Sequence, residues 1–436
     1  MRRNDDGRSD SACTAALLLS AIVFGVALIV RALYISWRGV RITGDSSEYL
    51  ALAANILGHK AFSFDVQAPF TPTIRRPPLY PGFLALCELL GGVTPIAIGS
   101  VQAIIDAGVA AAIFVFAKWA GAGRWAIVAA GTYVFYPGAI VASATLLTET
   151  LFTGLIVAGA LTLVFGFSTQ KAAFTAIAGF CFGLAILCRP AALLLPIVLA
   201  GVIVWSYSSR RRVLFAVLLL GTALITILPW VVRTSLLAHR MVPVQAWSGI
   251  SFYLASRIDW PQTDEETLLK YLREDPTIGS RIANAHRPEQ MAQLDADAWR
   301  AGFVNIRSSI YGYLVSRVRT YPVLFLSSFD SLTGFNESFR SVIARRDLAR
   351  LVIKLAMLVV FSFVPFFLAV VGLESSRHNP VALLAASVWI TLLVVYIPMW
   401  VENRYWWPAV PFMLVTASIA PRRLACGRRN LNQSTP

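Results

Sequence analysis

Charged side chains are scarce in this sequence. Only 14% of its 436 residues are charged and 57% are hydrophobic, whereas a soluble domain carries roughly a quarter charged residues. The mean hydropathy is +0.66, and long apolar runs recur between residues 12 and 421. This composition excludes a soluble fold. Because a chain inside a bilayer must satisfy its own backbone hydrogen bonds, the runs predict an all-α integral membrane protein.

Lysine is almost absent as well, and the net charge of +15 comes almost entirely from arginine. The lysines stand at positions 60, 118, 171, 270 and 354. In a soluble chain such a charge would suggest nucleic acid as a partner. Here many arginines lie in loops between apolar runs, where they set the orientation of the chain and meet anionic headgroups. We therefore expect membrane lipids, and not nucleic acid, as the partner of this charge.

The sequence has few potential metal ligands and no disulfide framework. Its five cysteines show no metal-type spacing, and the four histidines show none either. Most of the cysteines lie in or beside apolar runs, which predicts buried thiols. A cleavable signal peptide is also lacking, because the first apolar run, 12–37, is too long for one and reads as a retained anchor. Internal repeats are absent.

Ten apolar runs come near the 20 or so residues that a bilayer core requires. They are 12–37, 98–117, 125–142, 150–167, 172–188, 191–207, 213–232, 352–373, 380–399 and 406–420. Arginines and lysines in the short loops then place both termini in the cytoplasm of a plasma (inner) membrane. The apolar segment 79–95 is short and flanked by prolines, so we expect a juxtamembrane helix at the outer surface rather than a span.

This topology divides the chain into four parts. Residues 1–232 form an N-terminal transmembrane catalytic module that contains a first extracytoplasmic loop, 38–97. Residues 233–351 form a large extracytoplasmic loop, residues 352–421 carry the last spans, and residues 422–436 form a cytoplasmic tail. We expect both termini on one side of the membrane and the functional residues on the other.

The large loop is expected to be helical. Thr263-Asp264-Glu265-Glu266 fits a capping box at a helix start. An amphipathic helix is predicted over 299–319 from apolar residues at roughly helical spacing. These residues are Phe303, Ile306, Ile310, Leu314 and Val318.

Asp45 is the first candidate for chemistry, in the segment Gly-Asp-Ser-Ser-Glu-Tyr at 44–49. Asp45 and Glu48 also fit a capping pattern for a helix over about 46–57. The two roles are compatible, because a capped helix start fixes the carboxylate in space. Asp45 could then act as a general base, with Glu48 and Tyr49 as supporting residues.

Several arginines are candidates for binding phosphate. Arg75 and Arg76 precede two prolines that stiffen the backbone, and guanidinium groups bind phosphate oxygens in bidentate fashion. The alternative is contact with lipid headgroups. Arg404, beside Tyr405, is a second candidate and Arg189 a third. Tyr80 and Tyr405 join this substrate- or lipid-phosphate-binding set, and the tryptophans at 406 and 407 suggest an aromatic belt at the membrane surface.

Two acids remain at membrane depth, where a carboxylate is costly and needs a partner or a role. Glu149, in Thr-Glu-Thr, is expected on the same side as Asp45. It could bind a divalent cation, position an acceptor, or form a salt bridge with Arg189 or Arg404. Asp106 lies inside the second predicted span, and its partner could be any of the candidate arginines. Whether a metal takes part stays open.

Four motifs in chain order resemble the family 39-like glycosyltransferases of the GT-C fold, a group that includes protein O-mannosyltransferases and lipid A aminoarabinose transferases. The motifs are Gly-Asp-x-x-x-Tyr-Leu-x-Leu-Ala-x-Asn-Ile-Leu-Gly-His-x-x-Phe-Ser-Phe at 44–64, Arg-Pro-Pro-Leu-Tyr-Pro-Gly-Phe-Leu at 76–84, Leu-Leu-Thr-Glu-Thr-Leu-Phe at 146–152 and Arg-Tyr-x-x-Pro-x-x-Pro-Phe at 404–412. The large loop has no match in detail.

This resemblance implies a GT-C membrane protein that transfers a sugar from a polyprenyl-phosphate donor with inversion at the anomeric carbon. It implies Asp45 as the base, Glu149 assisting, and arginines such as Arg76 and Arg404 on the phosphate. The acceptor would be a glycan, a lipid or a protein. A polytopic transporter, or a glycan polymerase or ligase that uses a lipid-pyrophosphate donor, is the alternative.

Overall fold

The structure is a computed structural model, and it describes residues 3–91, 94–206, 210–260, 265–326, 339–377 and 379–433. Within these ranges the regular structure is helical, and no strand is present beyond one isolated bridge between Arg41 and Thr145. The all-α membrane fold predicted from composition is therefore confirmed.

The helices of the first half run from the N-terminal anchor to the start of the large loop. They are α1 (Arg3–Arg38), α2 (Gly44–His59), α3 (Leu79–Gly91), α4 (Pro95–Trp119), α5 (Trp125–Val134), α6 (Pro137–Ser143), α7 (Glu149–Thr169), α8 (Ala172–Cys188), α9 (Leu195–Ser206) and α10 (Arg212–Ala238).

The helices of the second half comprise the large loop and the last apolar segments. They are α11 (Ser248–Ser256), α12 (Glu265–Glu274), α13 (Gly279–Ile282), α14 (Pro288–Ser308), α15 (Ile310–Thr320), α16 (Val323–Leu326), α17 (Phe339–Ala344), α18 (Leu348–Ser376), α19 (Pro380–Tyr396) and α20 (Val410–Gln433). A 3-10 turn, Asn403–Ala409, leads into α20.

Five of the described helices are long and apolar enough to cross a membrane, namely residues Thr14–Arg38 of α1, and α4, α7, α10 and α18. The bent pair α5 and α6 would make a sixth. Three more predicted spans coincide with shorter apolar helices, α8, α9 and α19. The chain is thus a multi-pass membrane protein, and the count of ten stays a prediction. Helix α3 has 13 residues, about 20 Å at 1.5 Å per residue, which is too short to span.

The span predicted over 125–142 is broken into two helices. Helices α5 and α6 meet at an angle of 50°. Pro137 begins α6, and Tyr136 before it is extended at φ −66° and ψ 117°. Proline has no N–H to donate into the preceding helix and pushes the residue before it out of helical geometry. The chain therefore bends inside the bundle before it reaches Glu149, the first residue of α7.

Small residues bring the helices of the bundle close together. Gly179 and Gly183 lie one turn apart on the face of α8 that packs on α10. A Cβ at Gly179 would stand 1.9 Å from Thr222 Oγ1, and one at Gly183 would stand 2.5 Å from Thr226 Cβ. This small-x-x-x-small spacing is the usual way for membrane helices to approach. Helices α7 and α8 pack together and are joined only by Gln170 and Lys171, so they run antiparallel. Helix α7 therefore begins and α8 ends at the same end of the bundle, called the site end below.

The large loop has its own hydrophobic core and is anchored to the first loop. Helix α11 packs on α14, where a Cβ at Gly249 would lie 2.1 Å from the carbonyl oxygen of Asp295. The Ala246 N–H donates to the Ile74 carbonyl at 2.9 Å. Arg233 Nη1 donates to the Thr73 carbonyl at 3.3 Å. The loop therefore rests directly against the segment that carries Arg75 and Arg76.

One predicted helix is wrong, one predicted capping box lies partly outside the described residues, and the last helix extends past its predicted span. The single helix predicted over 299–319 is two helices, because the chain breaks at Ser309 (φ −155°, ψ 77°), whose hydroxyl caps α15. The predicted capping box at 263–266 begins outside the described residues, and α12 starts at Glu265. The last helix continues through residue 433, beyond the predicted end of the span at 420, because Pro421 does not interrupt it.

Candidate functional site

Four arginines and four carboxylates form ion pairs at the site end. They come from the start of α2, the segment before α3, the start of α7, the residue after α8 and the turn before α20. The participants are Asp45, Glu48, Glu149, Glu402, Arg75, Arg76, Arg189 and Arg404. Segments far apart in the chain thus meet around one point, and the formal charges of this cluster balance.

Asp45 lies at the centre of the cluster and does not cap its helix. Thr43 precedes α2, and its N–H donates to Ser46 Oγ at 2.9 Å. The capping pattern predicted from Asp45 and Glu48 is therefore wrong, because Thr43 and Ser46 form the capping box two residues earlier. Asp45 occupies the first helical turn, where the positive end of the helix dipole favours a carboxylate.

Both carboxylate oxygens of Asp45 accept from arginine. Arg76 Nη2 donates to Oδ1 at 2.6 Å, and Arg404 Nη2 donates to Oδ2 at 2.7 Å. Burial alone would raise the pKa of this carboxyl, but Arg76 and Arg404 outweigh it and hold the pKa well below its usual range. In this arrangement Asp45 is ionised and a weak base.

Glu48 holds the two consecutive arginines. Arg76 Nε donates to Glu48 Oε2 at 2.6 Å, and Arg75 Nη2 lies 2.9 Å from Oε1. The Arg75 guanidinium also stacks 3.9 Å from the ring of Trp247, which comes from the large loop. Sequence reasoning missed Trp247, because nothing in its surroundings distinguishes it from other loop tryptophans.

Glu149 joins the cluster from the first residue of α7. Its Oε1 accepts from Arg189 Nη1 at 2.9 Å and lies 3.8 Å from Arg404 Nε. The salt bridges predicted as alternatives are thus both present. Its side chain is only 3% exposed, and among the described residues no group hydrogen-bonds the other oxygen, Oε2. A buried carboxylate oxygen without a donor is costly and is suited to accept from a ligand.

Glu402 is a second residue that sequence reasoning missed. Arg404 Nε donates to Glu402 Oε2 at 2.6 Å, and the Tyr405 hydroxyl donates to Oε1 at 3.1 Å. Glu402 therefore fixes both members of the Arg-Tyr motif. Its place two residues before Arg404 was a usable signal, because an acid beside a membrane-depth arginine needs an explanation.

An aromatic layer lies under the arginines. The Arg76 guanidinium sits 5.2 Å from the Tyr49 ring, which meets the Tyr80 ring edge-on at 5.1 Å. The Tyr80 hydroxyl donates to Gln102 Oε1 at 2.9 Å. Gln102 is oriented by its own amide, which donates to the carbonyls of Ser143 and Thr145. Tyr49 and Tyr80 are thus buried supports, one layer away from the carboxylates.

Tyr405 has a comparable place beside the second pair of arginines. Arg189 lies 4.9 Å from its ring, and Tyr396 stacks on it at 4.9 Å. The neighbouring Trp406 and Trp407 are 1% and 6% exposed. The prediction of an aromatic belt at 406 and 407 is therefore wrong, since these rings fill the protein interior and do not face lipid.

Asp106 does not belong to this site. It pairs with Arg31 of α1 at 2.7 Å and accepts from the Tyr133 hydroxyl at 2.7 Å, all within the bundle. The expectation that its partner is one of the candidate arginines is wrong. An arginine inside the first apolar run was the signal, because two opposite charges at membrane depth pair with each other.

The described residues contain no group of three or more histidine, cysteine, aspartate or glutamate side chains that could hold a metal ion. The carboxylates at the site end are each held by guanidinium groups. The chemistry proposed below is derived from the side chains alone.

No family model matches this sequence, and no curated protein is significantly similar to it. Solved structures do resemble it. The oligosaccharyltransferase AglB of Archaeoglobus fulgidus, with an inhibitory peptide and dolichol-phosphate, matches with a TM-score of 0.55 at 12% identity over 96% of this chain and 52% of that one. The same organism's oligosaccharyltransferase with Zn and sulfate matches with a TM-score of 0.55 at 13% identity over 94% and 49%.

ArnT of Cupriavidus metallidurans covers 94% of this chain and 76% of its own at 15% identity, with a TM-score of 0.40 that is too low to bear on the fold. The chain spans about half the length of the oligosaccharyltransferases it matches. These likenesses establish the fold alone. The chain has the GT-C fold, as predicted from the four motifs.

Proposed function

We propose that this protein is a membrane glycosyltransferase that moves a sugar from a polyprenyl-phosphate donor to an acceptor hydroxyl, with inversion at the anomeric carbon. The acceptor is a glycan, a lipid or a protein. The observation that carries this proposal is the cluster of Arg76, Arg189 and Arg404 around Asp45 and Glu149 at one end of an apolar bundle with the GT-C fold.

The arginines suit the leaving group of such a reaction. A lipid phosphate stays in the plane of the membrane, so its headgroup can be reached only where helices meet the membrane surface. Guanidinium groups bind phosphate oxygens and stabilise the charge that develops as the phosphate departs. Arg75, Arg76, Arg189 and Arg404 supply up to four such groups.

In the proposed step, the acceptor hydroxyl oxygen attacks the anomeric carbon from the face opposite the phosphate. The bond between that carbon and the phosphate oxygen breaks, and the electron pair leaves with the polyprenyl phosphate. Asp45 takes the proton of the acceptor hydroxyl, a contribution of about 10²–10⁴-fold for a positioned base. Glu149 assists through Oε2, which is free to accept from a sugar or acceptor hydroxyl.

Asp45 must first be released from its arginines. With Arg76 at 2.6 Å and Arg404 at 2.7 Å on its two oxygens, it has little affinity for another proton. A donor phosphate competes for the same guanidinium groups. As the phosphate draws Arg76 and Arg404 away, the basicity of Asp45 rises, so binding of the donor prepares the base.

The site end would face outward, with both termini in the cytoplasm of the plasma membrane. Helix α1 ends shortly before Asp45, and α20 begins shortly after Arg404. The N-terminal end of α1 and the C-terminal end of α20 therefore lie at the opposite end of the bundle from the site. The arginines of the short loops between α4 and α10 support the cytoplasmic assignment of that opposite end.

The test is transfer by purified protein. Radiolabelled polyprenyl-phosphate mannose, glucose, galactose and arabinose are supplied with membrane extract as the acceptor, for wild type and Asp45→Asn. We expect label to reach the acceptor with wild type only. Asp45→Asn keeps the shape of the side chain and removes its basicity. The variant should still fold, with a somewhat lower melting temperature because the ion pairs to Arg76 and Arg404 lose their charge.

Three results would contradict the proposal. Normal turnover by Asp45→Asn would remove Asp45 from the mechanism. Transfer from lipid-pyrophosphate oligosaccharides alone would favour a polymerase or ligase. Uptake of a substrate into proteoliposomes without chemical change would favour a transporter.

A further inference from the structure

Helix α15 exposes its apolar face and buries its polar face, the reverse of what is expected for a helix in water. Its outward face presents Ile310, Tyr311, Leu314 and Val318, which are 58%, 81%, 56% and 75% exposed. At 100° per residue these four positions fall within an arc of about 100°. The face turned toward the protein carries Tyr313, Arg317 and Thr320, which are at most 9% exposed.

The preceding helix supplies a contrast within the same loop. Over its first four turns α14 buries Met291, Leu294 and Ala298 and exposes Gln293 and Arg300, as expected of a helix in water. The pattern changes at its last turns. There Phe303 and Val304 are 53% and 65% exposed, and the apolar surface continues across Ser309 onto α15.

The chain after α15 enters the transmembrane bundle. The Tyr321 hydroxyl donates to the Leu393 carbonyl in the last turn of α19. Leu324 is fully buried in the same core as the spans, and the Phe325 carbonyl accepts from Ser362 of α18 at 3.0 Å. On the buried face of α15, Arg317 donates to the Met399 carbonyl at 3.1 Å. Helix α15 is therefore held beside the membrane-embedded part of the protein.

We propose that α15 and the last turns of α14 lie in the membrane surface at the site end, with their exposed apolar face among the lipid acyl chains. Amphipathic helices of this kind sit about 5–10 Å into the boundary between headgroups and chains. The exposed Arg307 and Arg319 flank the apolar face and match the negative charge of anionic headgroups.

A bilayer explains this surface better than a protein partner does. The chain that follows α15 packs directly against α18 and α19. Helix α15 therefore lies beside these spans, where the lipid that surrounds them also reaches its exposed apolar face. Arg317 of α15 binds the Met399 carbonyl, and Met399 lies just before Glu402 and Arg404 in the chain. Insertion of α15 into the lipid layer would therefore also fix the position of the segment that carries these two site residues.

The test places an environment-sensitive bimane label on the full-length protein in vesicles of anionic and brominated phospholipids. Labels are attached through Leu314→Cys and Val318→Cys, with Gln293→Cys on the polar face of α14 as the matched control. Cysteines 13, 181 and 426 are replaced by serine beforehand, whereas Cys87 and Cys188 are buried and stay.

We expect the labels at 314 and 318 to lose emission to brominated acyl chains and to resist quenching by aqueous iodide. The label at 293 should show the reverse. Quenching of the 314 and 318 labels by iodide as strong as at 293 would overturn the proposal, because α15 would then face water. Protection from both quenchers would also overturn it, by indicating a protein partner or a second copy of the chain.

Discussion

At the scale of single residues, the ion pairs of Asp45 predict a particular pH dependence. In the free protein its depressed pKa keeps the carboxylate ionised at any pH above the ordinary value of about 3.9. Its ion pairs therefore stabilise the fold above that pH and lose this contribution only as the pH falls through the lower, folded pKa. The unfolding free energy contributed by Asp45 should thus be constant from about pH 5 to pH 8.

Activity should respond differently from stability. The kcat/KM for the donor reports the pKa values of the free protein, whereas kcat reports those of the bound complex. If the phosphate draws Arg76 and Arg404 away, the pKa of Asp45 rises in the complex. We expect the acid-side fall of kcat at a higher pH than that of kcat/KM. Identical acid limbs in the two profiles would mean that the arginines stay on Asp45 when the donor binds.

Glu402 gives a second residue-scale prediction. It fixes Arg404 through Nε while Nη2 of the same guanidinium holds Asp45. Glu402→Ala should let Arg404 turn away, raise the KM for the donor about tenfold and lower kcat, since a charge-assisted hydrogen bond contributes roughly 1.5–3 kcal/mol. Steady-state transfer assays measure both constants.

Glu402→Gln is the matched control, because the amide oxygen can still accept from Arg404 Nε. It should restore most of the KM. An equal loss in the glutamine and alanine variants would assign the effect to the charge of Glu402 and contradict a role in positioning.

Most of the charged residues of the site could be predicted because they stand in or beside apolar runs, although Glu402 was missed. Asp45, Arg76, Glu149 and Arg404 were marked by charge in or beside apolar runs, and the structure brings them together. Trp247 was not marked, because its role depends on how the large loop docks. That docking uses backbone hydrogen bonds, which carry no side-chain signature.

At the scale of helices, the apolar runs predicted which elements exist, and local chemistry decided where they end. The length of the apolar runs correctly predicted the membrane-spanning helices α1, α4, α7 and α10. The start of α2 was misassigned because Asp45 and Thr43 are both good caps, and only the competing ion pairs of Asp45 decide between them. The break at Ser309 was missed because the apolar spacing continues unchanged across it.

The reversed faces of α15 could not be predicted for a related reason. A helical period identifies an apolar face but not the medium that it meets. The sequence predicts the same stripe for a helix that packs on a core and for one that lies on a bilayer. Only the burial of Arg317 against Met399 decides which face turns inward.

At the scale of the whole molecule, one buried ion pair ties the first span to the rest of the bundle. Most side chains of the α1 span point away from the rest of the protein, and only 17% of its apolar stretch is buried. Arg31 and Asp106 are 0% and 1% exposed and join α1 to α4. Since α1 leads directly into the segment that carries Asp45, this pair also sets the position of the candidate base.

The last prediction is therefore a double-mutant cycle on Arg31→Met and Asp106→Leu, read as thermal unfolding in nanodiscs. Each single variant leaves one buried charge without its partner and should cost about 3–5 kcal/mol. The double variant removes both charges and should recover most of that loss, short of the roughly 1–3 kcal/mol for the Tyr133 hydroxyl that loses its acceptor. If the two single losses simply add in the double variant, the pair does not act as a unit. Transfer activity should fall in the single variants and return in the double variant, because the Arg31–Asp106 ion pair affects the site only through the position of α1.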